Sequence, residues 1–210
     1  MPTSKPLLYH APMACSLAAR IAAAEAGIEI DLAYVDLKSK RLADGQSYLN
    51  VSPLGQVSVL RLPNGRLLSE TSAVLVWLQA NAGPTFTRIP AESDDYYELL
   101  RWISFCATEL HKQLFRVLFY PEATAEVKER VRTLAPPRFA VLDNHLRDRQ
   151  YLVGENFSSA DAYLVWALQL MDRAQLDPSR YSALHDYHQC HNKRSTVIDL
   201  LRSDQQRVNQ

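Results

Sequence analysis

A small α/β domain feeding an all-helical one is the fold class this sequence predicts, and three observations predict it. Over residues 1–84 the hydrophobic period switches repeatedly between that of a strand and that of a helix. Within that stretch, Asn64-Gly65 sits between two apolar runs, a strong hairpin signal. From about Glu92 onward strand signals vanish and long amphipathic helical patterns take over. The expected domains are therefore 1–84 and 92–210, with Pro84 and Pro90 marking the linker.

The elements follow in order. Lys5 to Tyr9 reads as a short strand, Ser16 to Ala26 as an alanine-rich helix stopped by Gly27, and Ile28 to Val35 as a returning strand, which together make a βαβ unit. After the polar segment Lys38 to Asn50 comes the hairpin: Val57 to Leu62, the turn Pro63-Asn64-Gly65, then Arg66 to Leu68. Ser69 to Ala80 is again helical. The helical domain is predicted as Asp94 to Tyr120, Ala123 to Arg149 and Ser159 to Gln175, with a shorter helix near Tyr181 to Cys190. Pro136-Pro137 is expected to kink or break the second of these, because proline lacks the amide hydrogen and clashes with the preceding turn. Ser158-Ser159-Ala160-Asp161 has the spacing of a capping box with Asp in place of Glu, a helix-nucleating device.

Composition bounds the function. The 210 residues carry 23 Lys plus Arg against 23 Asp plus Glu, so no global field draws the chain to nucleic acid or to an acidic membrane. The partner expected is small or a protein. No signal-peptide pattern and no membrane-spanning apolar run is read, and a cytoplasmic protein is expected. The three cysteines, Cys15, Cys106 and Cys190, are far apart, which suits reduced thiols rather than a disulfide framework or a Cys-x-x-Cys pair. The six histidines form no close ligand pattern beyond His185, His188 and His191 with Cys190, and no metal is expected.

Leu8 to Leu17 is the most informative stretch: a strand, a turn at Pro12, and Cys15 opening a helix. The free amides and positive dipole end of a helix N-terminus favour an anion and lower a cysteine pKa from about 8.5 toward or below neutrality. Cys15 is thus the first candidate for chemistry, set against the plainer reading of a small core cysteine filling a turn.

Several separated motifs then resemble one family. Pro12 to Ala18 reads Pro-x-Ala-Cys-Ser-Leu-Ala, Val35 to Leu37 reads Val-Asp-Leu, and Lys40 to Leu42 follows as Lys-Arg-Leu. Ser52 to Val57 reads Ser-Pro-Leu-Gly-Gln-Val, Leu67 to Thr71 Leu-Leu-Ser-Glu-Thr, Ala107 to Lys112 Ala-Thr-Glu-Leu-His-Lys, and Phe157 to Tyr163 Phe-Ser-Ser-Ala-Asp-Ala-Tyr. Their joint order resembles the cytosolic glutathione transferases, most closely the bacterial beta class, over nearly the whole chain. The resemblance implies a thioredoxin-like N-terminal domain, a helical C-terminal domain, glutathione as co-substrate, a small hydrophobic electrophile as second substrate, and a homodimer with sites between the domains. A role in detoxification follows from the same resemblance.

Residue by residue, it implies that Cys15 faces the glutathione sulfur and forms a mixed disulfide with it, with Ser16 as a second donor to that sulfur or an ordinary helix-start serine. Glu70 and Thr71 match the pair that holds the γ-glutamyl end: a carboxylate for the ammonium, and a hydroxyl with helix-start amides for the carboxylate. A cap at Ser69 with a first-turn acid is the competing reading. Lys40 matches a lysine near the glycyl carboxylate, or is a solvated lysine. His111 matches a histidine near the active site, or a polar residue facing the dimer groove. Ser104 stands where asparagine often reaches the partner subunit's glutathione. The second substrate would meet apolar and aromatic residues such as Phe105, Phe115, Phe119 and Tyr120, which equally suit a core or an interface.

One departure stands out. The family normally reads Val-Pro after Gly-Gln, with the proline cis so that the preceding backbone turns toward the cysteinyl part of glutathione; here Val57 is followed by Ser58. Without proline a cis bond costs about 2.5–4 kcal/mol, so the alternatives are a held cis Val57-Ser58 peptide or a trans bond in a rebuilt loop. The trans case endangers two backbone hydrogen bonds to glutathione, and it motivates a rival reading, a catalytically weak binding or regulatory protein of the same fold. Smaller departures are Leu54, Met13 and His10, where lysine, glycine and tyrosine are common.

Overall fold

The computed structural model describes residues 5–83, 86 and 89–208. Its elements separate into two compact units, one of residues 1–89 together with 195–210, the other of residues 90–194.

In the first unit β1 (Leu7–His10), α1 (Ser16–Glu25) and β2 (Asp31–Asp36) form the predicted βαβ, with Leu8 opposite Leu32 in parallel register. Alanine-rich α1 closes in a paired-bond C-terminal turn: Gly27 sits at φ 67°, its amide reaches Ala24 O, and the Ile28 amide reaches Ala23 O. β3 (Arg41–Leu42) lies in the segment read as merely polar and pairs antiparallel with β2. The hairpin is β4 (Val59–Arg61) and β5 (Leu67–Ser69), with Leu60 opposite Leu68 and Gly65 at φ 84° in the turn. The sheet order is β3-β2-β1-β4-β5. It is followed by α2 (Thr71–Ala80), which packs with α1. Leu8, Leu17, Ile21, Leu60, Leu75 and Leu78 are its fully buried core.

In the second unit α3 (Asp94–Phe105), capped by the Ser93 hydroxyl, runs on through a π-helical stretch, Cys106–Phe115, into α4 (Arg116–Leu118). α5 (Ala125–Arg132) and α6 (Ala135–Leu146) divide the second predicted helix. The break falls just before Pro136-Pro137, which occupy the first turn of α6, where a missing amide hydrogen costs nothing. α7 (Ser159–Leu168) is buried along its whole length and begins in the predicted capping box: Ser158 Oγ accepts from the Asp161 amide, while Asp161 accepts from the Ser158 amide at 2.8 Å. α8 (Met171–Ala174) follows as a separate short turn, then α9 (Ser182–Asn192), which packs on α6.

The last helix, α10 (Ser195–Val208), corrects the expected boundary at the C-terminal end. It packs on α1 and so belongs to the first unit, not to the helical one. Of the expected linker, Pro84 lies outside the described residues, while Pro90 begins the second unit. Among the described residues no helix is long and apolar enough to cross a membrane.

Candidate active site

The β1–α1 turn brings Cys15 to the N-cap of α1, at φ −59° and 6% exposed. Its thiol donates to Val57 O at 3.1 Å. The loop carrying Val57 is pinned from below: the Tyr48 hydroxyl donates to Gln56 O at 2.9 Å, and Ser52 Oγ donates to the same oxygen at 3.0 Å while accepting the Gln56 amide at 3.2 Å. Burial raises the Tyr48 phenol, so it stays a donor. These two supports were not singled out in the sequence.

The Val57-Ser58 peptide is cis, which resolves the two alternatives left by the missing proline. Ser58 is buried, and its Oγ lies 3.1 Å from Thr71 Oγ1. Thr71 is the first residue of α2, also buried, and Glu70 before it is the exposed N-cap at φ 68°. Ser69, the alternative cap, instead ends β5. Cys15, Val57, Ser58 and Thr71 therefore form one continuous string of contacts from the thiol to the start of α2.

Lys40, at φ 58°, donates through Nζ to Gly55 O at 2.9 Å. Gly55 is needed for this approach: a Cβ there would stand 2.7 Å from Lys40 Cδ, and its φ is +59°. An ammonium has three donors, so the Gly55 bond leaves Lys40 able to meet a carboxylate.

Ser16 departs from expectation. It is fully buried, with His10 Nδ1 at 2.9 Å and the Ala11 amide donating to Oγ at 3.2 Å. Its hydroxyl is tied to the interior of the turn, away from the role of second donor to a bound sulfur. Asp204 and Arg20, which meet His10, carry no mark in the sequence.

His111 and Ser104 belong to the helical unit. His111 lies in the π-helical stretch, with Nδ1 2.9 Å from the Tyr163 hydroxyl and its ring edge-on to Trp166 at 4.9 Å. Burial first, then the positive Lys112 and Arg116, push it down to about 4, so it is neutral at physiological pH. Ser104 is exposed, and its carbonyl accepts from Thr108 at 3.0 Å. Phe115 is buried and stacks on half-exposed Phe119. Among the described residues no group of three His, Cys, Asp or Glu is arranged to hold a metal ion.

Comparison with known proteins supplies what the geometry alone does not name. Residues 12–81 match the family model of the glutathione S-transferase N-terminal domain, and residues 105–194 that of the C-terminal domain. Glutathione S-transferase GstA of Escherichia coli O157:H7 is 34% identical, over 94% of this chain and 98% of that protein. The chain belongs to the glutathione S-transferase family. Among solved structures, a sphingomonad glutathione S-transferase complexed with glutathione matches at 32% identity and TM-score 0.88, over 94% of this chain and 98% of that one. A bacterial beta class glutathione S-transferase of Sphingomonas chungbukensis matches at 31% identity, with the same TM-score of 0.88 and the same coverage of 94% and 98%. The transferase fold expected from the motifs, an α/β domain followed by helices, is thus the fold of its relatives.

Proposed function

We propose that this transferase takes glutathione at the Cys15–Val57–Ser58–Thr71 string and either conjugates its sulfur to small electrophiles or exchanges it with disulfides through Cys15. The observation that carries the reading is that string: the thiol bonds Val57 O at 3.1 Å, and the next residue bonds the first residue of α2 at 3.1 Å. Glutathione has a thiol in its middle and charged groups at its ends, and this set supplies a partner for each. The α1 N-terminus faces the sulfur, the exposed Glu70 carboxylate meets the ammonium, Thr71 with the first amides of α2 meets the γ-glutamyl carboxylate, and Lys40 meets the glycyl carboxylate. His111 and Ser104 enter the proposal through the family resemblance alone, as do the homodimer, the hydrophobic electrophile and a cytoplasmic location.

In conjugation, the glutathione thiol loses its proton in the field of the α1 N-terminus, and the sulfur attacks the electrophilic carbon as the leaving group departs. In exchange, the Cys15 thiolate attacks the glutathione sulfur of a mixed disulfide between glutathione and another thiol, forming a Cys15–glutathione disulfide and releasing the other thiol as a thiolate. A second glutathione thiolate then attacks the glutathione sulfur on Cys15, leaving as glutathione disulfide and restoring the Cys15 thiolate. The rival reading, a catalytically weak binding protein, is not favoured by relatives that are transferases by name.

Calorimetric titration of the reduced protein with glutathione tests the reading. Saturable binding at micromolar to low-millimolar concentration, weakened in Glu70→Gln and Lys40→Ala, supports it; no heat from a folded wild-type protein overturns it.

A further inference from the structure

Four side chains outside the string converge beneath the turn that carries Cys15. His10 and Ser16 are fully buried, Asp204 is 1% exposed and Arg20 is 7% exposed. Asp204 stands on α10, at the far end of the chain from β1 and α1. Its Oδ2 accepts the Met13 amide at 2.7 Å, in a residue held at φ 60°, where side chains other than glycine are rarely found. Its Oδ1 accepts from the Arg20 guanidinium and from His10 Nε2, the latter at 2.9 Å.

The hydrogen positions follow from this arrangement. Nε2 faces both Asp204 Oδ1 at 2.9 Å and Arg20 Nη1 at 3.2 Å; the carboxylate is the nearer, and a bare lone pair facing it is repulsive, so Nε2 carries the hydrogen and donates to Asp204. Burial first, with the Arg20 and Arg207 charges, lowers His10 below its ordinary value against the opposing pull of Asp204, so the ring is neutral at pH 7 and Nδ1 is an acceptor. Ser16 accordingly donates inward to Nδ1, while its oxygen takes the Ala11 amide at 3.2 Å. One carboxylate thus fixes Met13 directly and Ala11 and Ser16 through His10, on both sides of Cys15.

We propose that Asp204 and His10 are positioning residues for Cys15, with α10 serving as the buttress that sets the turn. α10 has a second anchor to the same unit, the Arg207 guanidinium 3.5 Å above the Tyr34 ring, and that ring meets His10 edge-on at 5.7 Å. The inference rests on the reading of Cys15 as the reactive thiol, but its test needs no glutathione.

The test is alkylation of the native protein by iodoacetamide across pH 5–9, followed peptide by peptide so that the exposed Cys190 serves as an internal reference. His10→Phe keeps a ring and removes both hydrogen bonds; Asp204→Ala removes the buttress. Each is expected to change the Cys15 rate relative to Cys190 by about tenfold or more, the order set by one hydrogen bond to a charged group, and to shift the pH midpoint of Cys15 alone. Folded variants whose Cys15 rate and midpoint match the wild type overturn the proposal, even if they melt earlier. Should Asp204→Ala not fold, Asp204→Asn carries the same test, because it keeps one acceptor for Met13 while reversing the donor toward His10; an unchanged Cys15 midpoint there overturns it equally.

Discussion

Ser58 Oγ lies 3.1 Å from Thr71 Oγ1, with both side chains buried. This contact exists because residue 58 carries a hydroxyl, which the proline expected there from the family resemblance would lack. When Thr71 donates to a ligand carboxylate, Ser58 becomes the donor to Thr71 and polarises it. Ser58→Ala is therefore expected to raise the glutathione Kd about two- to tenfold, the range of one neutral hydrogen bond, and Thr71→Val to raise it further. Calorimetry on both variants checks the order; Ser58→Ala binding as tightly as wild type removes the relay.

Gly55 and Lys40 form a second linked pair. Gly55→Ala places a Cβ 2.7 Å from Lys40 Cδ at a backbone φ of +59°. A loss of about 1–2 kcal/mol in stability is expected from the left-handed backbone, together with a rise in glutathione Kd resembling that of Lys40→Ala. Chemical denaturation and titration of the same samples separate the two effects.

His111 is held down to about 4 against an ordinary 6.5, chiefly by burial. In the unfolded chain it takes a proton as pH falls through 6.5, and in the folded protein not until about 4. Its contribution is therefore fully present above 6.5 and is lost as pH drops from 6.5 toward 4. His111→Phe is expected to flatten that part of the stability profile by an amount on the order of 3 kcal/mol. Urea midpoints at pH 7 and pH 4.5 measure it; parallel profiles for the two proteins contradict it.

Asp161 accepts from the amides of Leu152 and Ser158, each at 2.8 Å, and from the hydroxyls of Ser158 and Tyr187, at 2.6 and 2.8 Å. Burial raises its carboxyl while these four donors oppose the rise. Asp161→Ala leaves them unpaired inside the helical unit and is expected to cost about 3–5 kcal/mol. Ser158→Ala, which loses the cap and one of the four donors to Asp161, is expected to cost about 1–2 kcal/mol. Thermal unfolding ranks the two, and equal losses would mean that Asp161 acts only as a cap.

Much of this architecture was legible because periodicity and turn chemistry agree with it. The βαβ unit, the Asn64-Gly65 hairpin and the Ser158 capping box each have a local signature, and each is present. β3 was not legible, since two residues, Arg41 and Leu42, are too few to show a period. The π-helical stretch Cys106–Phe115 carries no local mark distinguishing it from an α-helix. Pro136-Pro137 marked a break, but proline is tolerated in a first turn, so the helix starts with the pair rather than bending around it.

In the candidate site, motif and helix-terminus logic single out Cys15, Lys40, Glu70 and Thr71, and the structure places Cys15 at the start of α1 and Thr71 at the start of α2. The partners of the Ser16 hydroxyl were not legible, because what sets them is His10 together with Asp204, 194 residues from His10 and on α10. A lone Asp in an exposed-looking, polar C-terminal segment gives no sign that it will be the buried centre of a turn at the other end of the chain.

Incubation of the reduced protein with glutathione disulfide, followed by peptide-resolved mass spectrometry, tests most directly whether Cys15 is the thiol that meets glutathione. One glutathionyl group on Cys15, reversed by dithiothreitol and missing from Cys15→Ala, is the predicted result. Modification confined to the exposed Cys190, with Cys15 unmodified in the folded protein, would contradict the account.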